Sequence, residues 1–199
     1  MHQALVGTTE TLVSFLHARL SSDATLGPFF TGTRVVSPAT PEEMEKGNQE
    51  GLSIWLYRVV RDDNRLNDPP VRVSITESHK PPLPLRLHYL VTPLVRIANI
   101  NAWQLEQLIM GKVMQALHDH AHFSGTDLSG PLAGTDSEFR LRLETLTLEE
   151  LTRIWDALNR PYQLSISYEA AVVLIDSEQG EQASPVFIAE PVTAIIVQP

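Results

Sequence analysis

The sequence predicts a single α+β domain in which about three helices pack on one side of a mainly antiparallel or mixed sheet. Three observations support this prediction. Apolar residues recur at helical spacing in three separate segments, and in several others they alternate with polar residues, as in strands. The two kinds of segment follow one another in the order helix, strands, helix, strand, helix, strands, which favours helices packed on one side of a sheet. The 199 residues, 43% of them apolar, are enough to form one core.

Composition excludes several classes of protein. Fifteen Lys and Arg against 24 Asp and Glu give a formal net charge of −9, and the chain has no cysteine. The missing thiols exclude a disulfide scaffold and thiol catalysis. The acidic surplus repels nucleic acid and anionic lipid, so neither is an expected partner. The apolar run from Ala170 to Ile175 is too short to span a bilayer, and Glu10 lies within the first apolar stretch, unlike a secretory leader. The sequence therefore predicts a cytoplasmic protein.

The N-terminal part is predicted to contain one helix and one short strand. Leucines spaced by seven, four and four residues define the first helix, namely Leu5, Leu12, Leu16 and Leu20. This helix is expected to end before Gly27-Pro28. The residues from Arg34 to Ser37 are expected to be extended. The segment from Pro41 to Gln49 is rich in Pro, Glu and Gly, which predicts an acidic loop.

Three longer strands are predicted from their patterns. From Gly51 to Arg61, aromatic and branched residues occupy both alternating sets, so both faces of this strand should be covered. From Leu83 to Val91, leucines alternate with other residues, which predicts a strand that stops at Thr92-Pro93. The segment from Tyr162 to Asp176 alternates at first and is then apolar at every position from Ala170 to Ile175. Its second half should therefore be covered on both faces.

Two further helices carry start signals. Asn101 followed by Gln104 resembles a capping arrangement, and the buried stripe behind it is Leu105, Ile109, Val113, Ala116 and Leu117. Thr147 with Glu150 forms a capping box that opens a helix whose inward residues are expected to be Leu148, Leu151, Ile154, Trp155 and Leu158. A strand with one wet face should precede this helix, from Phe139 to Glu144. All three tryptophans, Trp55, Trp103 and Trp155, fit core positions.

Two segments are candidates for contact with other proteins. Residues 62–82 hold two proline pairs, which exclude a helix and favour an extended arm. Residues 178–199 end in a strand broken at Pro191, as edge strands often are. Both segments could add as strands to a neighbouring molecule, and cover by the same chain is the open alternative. The candidate interface residues are Val71, Val73, Ile75, Val186, Ile188, Val192 and Ile195.

No enzymatic motif is present in the sequence. We find no phosphate-binding glycine loop, no hydrolase serine elbow and no calcium loop, and we predict no catalytic residue, cofactor or metal. His118 and His122 are weak metal candidates, because residues four apart share one helical face. A small metalloenzyme that uses these two and His120 is therefore the alternative from a different functional class. The simpler interpretation is that these imidazoles finish a helix. His88 is expected to be a partly buried histidine with a hydrogen-bond partner.

Four blocks of sequence together resemble one family. They are GLSIWLYRVV at 51–60, PPLPLRLHYLVTP at 81–93, IMGKVMQALHD at 109–119 and LTLEELTRIWDALNRPYQLSISYEAAVVLIDS at 146–177. In order and spacing they resemble the tail-terminator, or cap, family of phage-tail-like contractile injection systems. That family includes the caps of the Photorhabdus virulence cassette and of the antifeeding prophage.

The resemblance implies a tail-terminator-like fold and a structural, non-enzymatic role. Such a protein forms a ring, expected to be a hexamer, on the end of the inner tube, and it contacts the sheath and stops polymerisation. The implied partners are further copies of the chain and the tube and sheath proteins of the particle. The implied location is the cytoplasm, within an assembled tail-like particle that can be released. A junction or baseplate adaptor of the same particle is the alternative.

Overall fold

A six-stranded mixed sheet forms the centre of the protein in the computed structural model, which describes residues 2–65, 71–72, 77–96, 101–177 and 180–182. The helices of this described part are α1 (Ala4–Ser21), α2 (Pro41–Lys46), α3 (Ala102–Asp119) and α4 (Leu148–Ala157). Its strands are β1 (Arg34–Ser37), β2 (Glu50–Arg61), β3 (Val71–Arg72), β4 (Glu77–His79), β5 (Leu83–Leu94), β6 (His122–Ser124), β7 (Glu138–Leu143), β8 (Ile166–Ile175) and β9 (Gly180–Gln182). The α+β prediction is confirmed, with one helix more than expected.

The strand order of the large sheet is β1-β2-β5-β8-β7-β6. β1 is parallel to β2, and the other neighbouring pairs are antiparallel. The central pair, β5 and β8, runs in register from Leu83 opposite Ile175 to Val91 opposite Ile166, with one shift after Leu85. The predicted mainly antiparallel or mixed sheet is therefore confirmed.

The hydrophobic core lies between one face of this sheet and the helices α1 and α3. Leu87, Tyr89 and Val91 of β5 are at most 1% exposed, and the α1 residues Leu12, Leu16 and Leu20 are buried in the same cluster. The Tyr89 hydroxyl lies 2.9 Å from Thr9 Oγ1 of α1, and burial raises the pKa of this phenol. The helix stripes predicted for α1 and α3 face this core. No helix in the described part of the chain is long and apolar enough to cross a membrane.

The predicted acidic loop at 41–49 is wrong, because most of it forms the helix α2. Thr40 caps this helix: its hydroxyl accepts a hydrogen bond from the Glu43 amide, and the Glu43 carboxylate accepts one from the Thr40 amide. Pro41 occupies the first turn, where its missing N–H costs nothing, and Met44 is fully buried. Six residues are less than two turns, too few to give an apolar period.

The capping box of Thr147 and Glu150 at the start of α4 is confirmed. Trp155 is fully buried and its indole N–H donates to Ser165 Oγ at 3.0 Å. The inward placement of Leu148 is wrong, since this side chain is 66% exposed. As the first residue of the helix it precedes the turn in which the inward stripe develops.

The end of β8 departs from its prediction. Beyond Ala171, β8 keeps β5 as a neighbour, but its recorded pairing with β7 ends there. Leu174 is 39% exposed, so the expected cover on both faces up to Ile175 is wrong at this residue. The strand begins at Ile166 rather than at Tyr162.

Parts of the predicted arm and of the C-terminal segment form a second, three-stranded sheet. Its order is β3-β4-β9, and both pairs are antiparallel. At least these parts of residues 62–82 and 178–199 are therefore paired within the chain. Residues 66–70, 73–76, 178–179 and 183–199 lie outside the described residues.

The start of α3 also differs from its prediction. The Asn101 side chain makes no cap hydrogen bond; its backbone carbonyl instead accepts from the Gln104 and Leu105 amides. Trp103, predicted to be in the core, is 57% exposed. The fully buried residues of α3 begin only at Ile109, so Trp103 lies in the first turns of the helix, before the part that packs on the core.

Candidate functional site

The sheet face opposite the core carries a chain of hydrogen-bonded polar side chains. His88 Nδ1 lies 2.9 Å from Glu144 Oε1, and the Ser167 hydroxyl donates to Glu144 Oε2 at 2.5 Å. The Tyr57 hydroxyl lies 3.0 Å from Ser167 Oγ, and burial raises the pKa of this phenol. His88 is 6% exposed, so the expected buried histidine with a hydrogen-bond partner is confirmed.

A second chain of ion pairs lies beside the first. Arg86 Nη2 donates to Asp62 Oδ1 at 2.9 Å, and Arg86 Nη1 lies 3.5 Å from Glu169 Oε1. Arg142 Nη2 donates to both Glu169 oxygens, at 3.2 and 3.4 Å. The hydrogen bond from Arg86 lowers the pKa of Asp62, and Asp62 raises the pKa of Arg86. Both groups are therefore charged at neutral pH.

The geometry of this network could hold a metal ion, but its existing partners argue against that. His88, Glu144 and Glu169 each offer one ligand atom, and these atoms lie within 4.8 Å of one another. The Glu144 oxygens already accept from Ser167 and contact the imidazole, while Glu169 lies between two arginines. A cation would have to enter next to these guanidinium groups and displace bonds already made. The network is better explained as a way to stabilise charges that the sheet buries.

His118 and His122 do not share a helical face, so the basis of the weak metal prediction is wrong. α3 ends at Asp119, and His122 lies on β6 with Nε2 3.2 Å from Glu138 Oε2. His120 stacks on Phe15, with ring centroids 5.0 Å apart. Among the described residues, His88, Glu144 and Glu169 are the only three His, Cys, Asp or Glu side chains placed closely enough to hold one metal ion.

A cavity of about 770 Å³ lies where β7 and β8 diverge. Its walls come from the first residues of β7 and the last residues of β8, with Arg65, Asp136 and Asp176 among the polar lining residues. None of the His88 network residues lines it. The described part of the protein therefore does not bring its buried titratable groups and this cavity together, as an active site would.

The outward face of α3 exposes large apolar side chains. Trp103 is 57% exposed, Leu108 51% and Met114 38%. Sequence reasoning assigned Trp103 to the core and so missed this surface. The available signal was the absence of Asp, Glu, Lys and Arg on this side of the helix.

The candidate interface residues remain predictions. Val71 is the first residue of β3 and pairs with His79 of β4, but the structure describes only its backbone. The other candidates, Val73, Ile75, Val186, Ile188, Val192 and Ile195, lie outside the described residues.

Residues 7–187 match the sequence model of the Pvc16 N-terminal domain family. The solved sheath/tube terminator of PVC, an extracellular contractile injection system, in its extended state is 18% identical, with a TM-score of 0.65; the match covers 98% of this chain and 64% of that one. The tube-terminating cap of the anti-feeding prophage is 19% identical, with a TM-score of 0.51, over 76% of this chain and 51% of that one. No curated protein matches the sequence. The chain thus spans less than two thirds of either solved relative.

The TM-scores and the coverage of this chain show that the two solved structures have a similar fold, and at these low identities they show the fold alone. The family match begins within α1 and ends beyond β9. It therefore includes the whole large sheet, the His88 network and the exposed face of α3. This protein belongs to the Pvc16 N-terminal domain family.

Proposed function

We propose that this protein is the cap, or terminator, of a contractile phage-tail-like injection system. It forms a ring on the end of the inner tube, contacts the sheath and stops the growth of both. A stacked polymer ends when its last layer fits the layer below but offers no surface on which another can assemble. The ring is expected to contain six copies.

One observation carries this proposal. The family match covers residues 7–187, and the fold of a protein described as a sheath/tube terminator extends over 98% of the chain. The anti-feeding prophage cap supports the same role, although it covers less of the chain.

The chemistry of the described residues favours a structural role over catalysis. The buried carboxylates at positions 62 and 169 and the half-buried one at 144 are all engaged by arginine, serine or histidine. None of them lines the cavity between β7 and β8. A general base needs access to a substrate proton, and carboxylates already held in ion pairs and hydrogen bonds are poorly placed for that role.

Deleting the gene in the producing organism tests the proposal directly. Without a terminator, tubes and sheaths should grow beyond their normal length and vary widely, and a copy of the gene supplied in trans should restore one narrow length. Electron microscopy of purified particles measures this distribution. Particles of normal length in the deletion strain would refute the proposal.

Two further measurements test its finer parts. Gold particles attached to a tag on the protein should mark the tube end distal to the baseplate; labels at the baseplate would favour a junction or baseplate adaptor. Native mass spectrometry of caps released from particles should give six copies. Crosslinking in intact particles should join the cap to both tube and sheath subunits.

A further inference from the structure

α3 has an apolar buried side and an outward side without acidic or basic residues, unlike a typical amphipathic surface helix. Its exposed residues from Trp103 to His118 include three large apolar side chains, three glutamines, a glycine and a histidine, but no Asp, Glu, Lys or Arg, although a fifth of the chain is charged. The two charged residues within this stretch lie on the half-buried flanks. Lys112 Nζ lies 3.1 Å from Asp23 Oδ2 beyond the end of α1, and burial raises the pKa of Glu106.

Gly111 lies in the middle of this exposed face. Glycine inside a helix is unfavourable by roughly 1 kcal/mol relative to alanine. A Cβ at this position would have no described atom within 4 Å, so packing within the described chain does not require the glycine. A residue without a side chain at such a place lets another molecule approach the helix backbone closely.

The exposed face of α4 shows the contrasting, solvent-facing pattern. Glu149 and Arg153 form an ion pair of 2.6 Å one turn apart, and Glu150 and Asp156 are also exposed. Leu148, the one large apolar residue exposed on α4, stands alone at its first position. The exposed face of α3 therefore differs from that of α4 in having no acidic or basic residue and in carrying three large apolar side chains.

We propose that the outward face of α3, formed by Trp103, Leu108, Gly111 and Met114, is a contact surface between copies of this chain. The inference rests on the proposed function and deepens it, because it names the surface through which neighbouring subunits of the ring meet. Trp103 is the expected anchor, since aromatic residues dominate the energy of many interfaces.

The proposed ring makes a second copy the occupant, and the net charge of −9 restricts where two copies can meet, because like charges repel. In a ring the α3 face of one copy meets a different face of its neighbour. A face without Asp, Glu, Lys or Arg adds no charge repulsion to such a contact, and it gives a basic partner nothing to pair with. A stable contact buries about 800 Å² on each partner. The α3 face would supply part of this area, and adjoining residues the rest.

The substitution Leu108→Glu tests this surface, with Leu148→Glu as a matched control. Both replace an exposed helical leucine by glutamate and add the same charge; the side chains are 51% and 66% exposed. Sedimentation velocity of the full chain over a hundredfold range of concentration measures self-association. We expect wild type and Leu148→Glu to associate equally, and Leu108→Glu to associate at least about tenfold more weakly with an unchanged melting temperature.

Gly111→Leu separates loss of contact from loss of folding. This variant should raise the melting temperature of the dilute protein, because leucine favours a helix, while it weakens association. A wild type that remains monomeric at every concentration would overturn the inference, as would equal association of Leu108→Glu and wild type. If association depends on α3 but the deletion strain makes particles of normal length, the proposed function fails and the contact surface stands. If the deletion strain makes over-long particles but the α3 variants associate like the wild type, the contact surface fails and the proposed function stands.

Discussion

The ion pair between Arg86 and Asp62 gives the sharpest prediction about stability. Asp62 is 3% exposed and accepts from Arg86 Nη2 at 2.9 Å. In Arg86→Met the guanidinium is lost, while Asp62 keeps the hydrogen bond from the Asn64 amide and Glu169 keeps Arg142. Because the Arg86 side chain is 27% exposed and Asp62 keeps one donor, removing the guanidinium should cost about 1–3 kcal/mol, less than breaking a fully buried pair. For a chain of this size that corresponds to a fall in melting temperature of roughly 2–12 °C.

The change of this stability loss with pH follows from the pKa of Asp62. In the wild type, Arg86 lowers the pKa of Asp62 below its unfolded value, so the pair's contribution is present at neutral pH and is lost as pH falls through the lowered folded pKa. It should therefore be constant between pH 7 and pH 5. In the variant the largest cause that lowers the pKa of Asp62 is gone while the burial that raises it remains, so this carboxyl is neutralised at a higher pH than in the wild type. The deficit in stability should therefore shrink as the pH falls.

Urea unfolding followed by tryptophan fluorescence at pH 7 and pH 5 measures both effects. Arg61→Met is the matched control, because Arg61 pairs at 3.1 Å with Asp63 at the surface, where the two side chains are 56% and 76% exposed. This control should lose less than about 1 kcal/mol. A deficit for Arg86→Met no larger than that of the control, or one that grows at lower pH, would refute the reasoning.

Three other substitutions should lower the free energy of unfolding. Thr147→Ala removes the cap of α4 and should cost about 1 kcal/mol in urea unfolding, with no loss of tertiary circular dichroism. Gly51→Ala should cost more than about 2 kcal/mol, because Gly51 has a φ of 127° and a Cβ there would overlap the carbonyl oxygen of Val35; a variant as stable as wild type would contradict this. Trp155→Phe loses the indole donor in a fully buried site and should lower the unfolding free energy by about 1–3 kcal/mol, which calorimetry can check.

Periodicity was sufficient to predict the long elements. α1 and α3 each run for 18 residues, long enough for their buried stripes to repeat several times. α2 has six residues, so it could be found only from its cap: Thr40, Pro41 and Glu43 are the start signals of a helix. The Pro, Glu and Gly content of this segment favours a loop, and only the capping pattern indicates the helix.

The functional surfaces were less predictable, because they depend on tertiary placement. Tryptophan is a residue type usually found in the core, and Trp103 is exposed only because it lies on the side of α3 that faces away from the sheet. His88 and Glu144 are far apart in sequence. They come into contact because β5, which carries His88, and β7, which Glu144 follows, both pair with β8. The weak metal prediction treated His118 and His122 as residues of one helix, whereas α3 ends at Asp119 and His122 begins β6.

The position of β5 and β8 at the centre of the sheet has a consequence for how the protein folds. Leu83 pairs with Ile175, so the middle of the sheet is closed by a strand that is made well after β5. Contacts between such distant residues slow folding, because a long loop must be ordered before they form. A growing chain that has emerged only as far as α4 exposes the apolar edge of β5, a surface prone to aggregation. Productive folding must therefore wait until β8 leaves the ribosome.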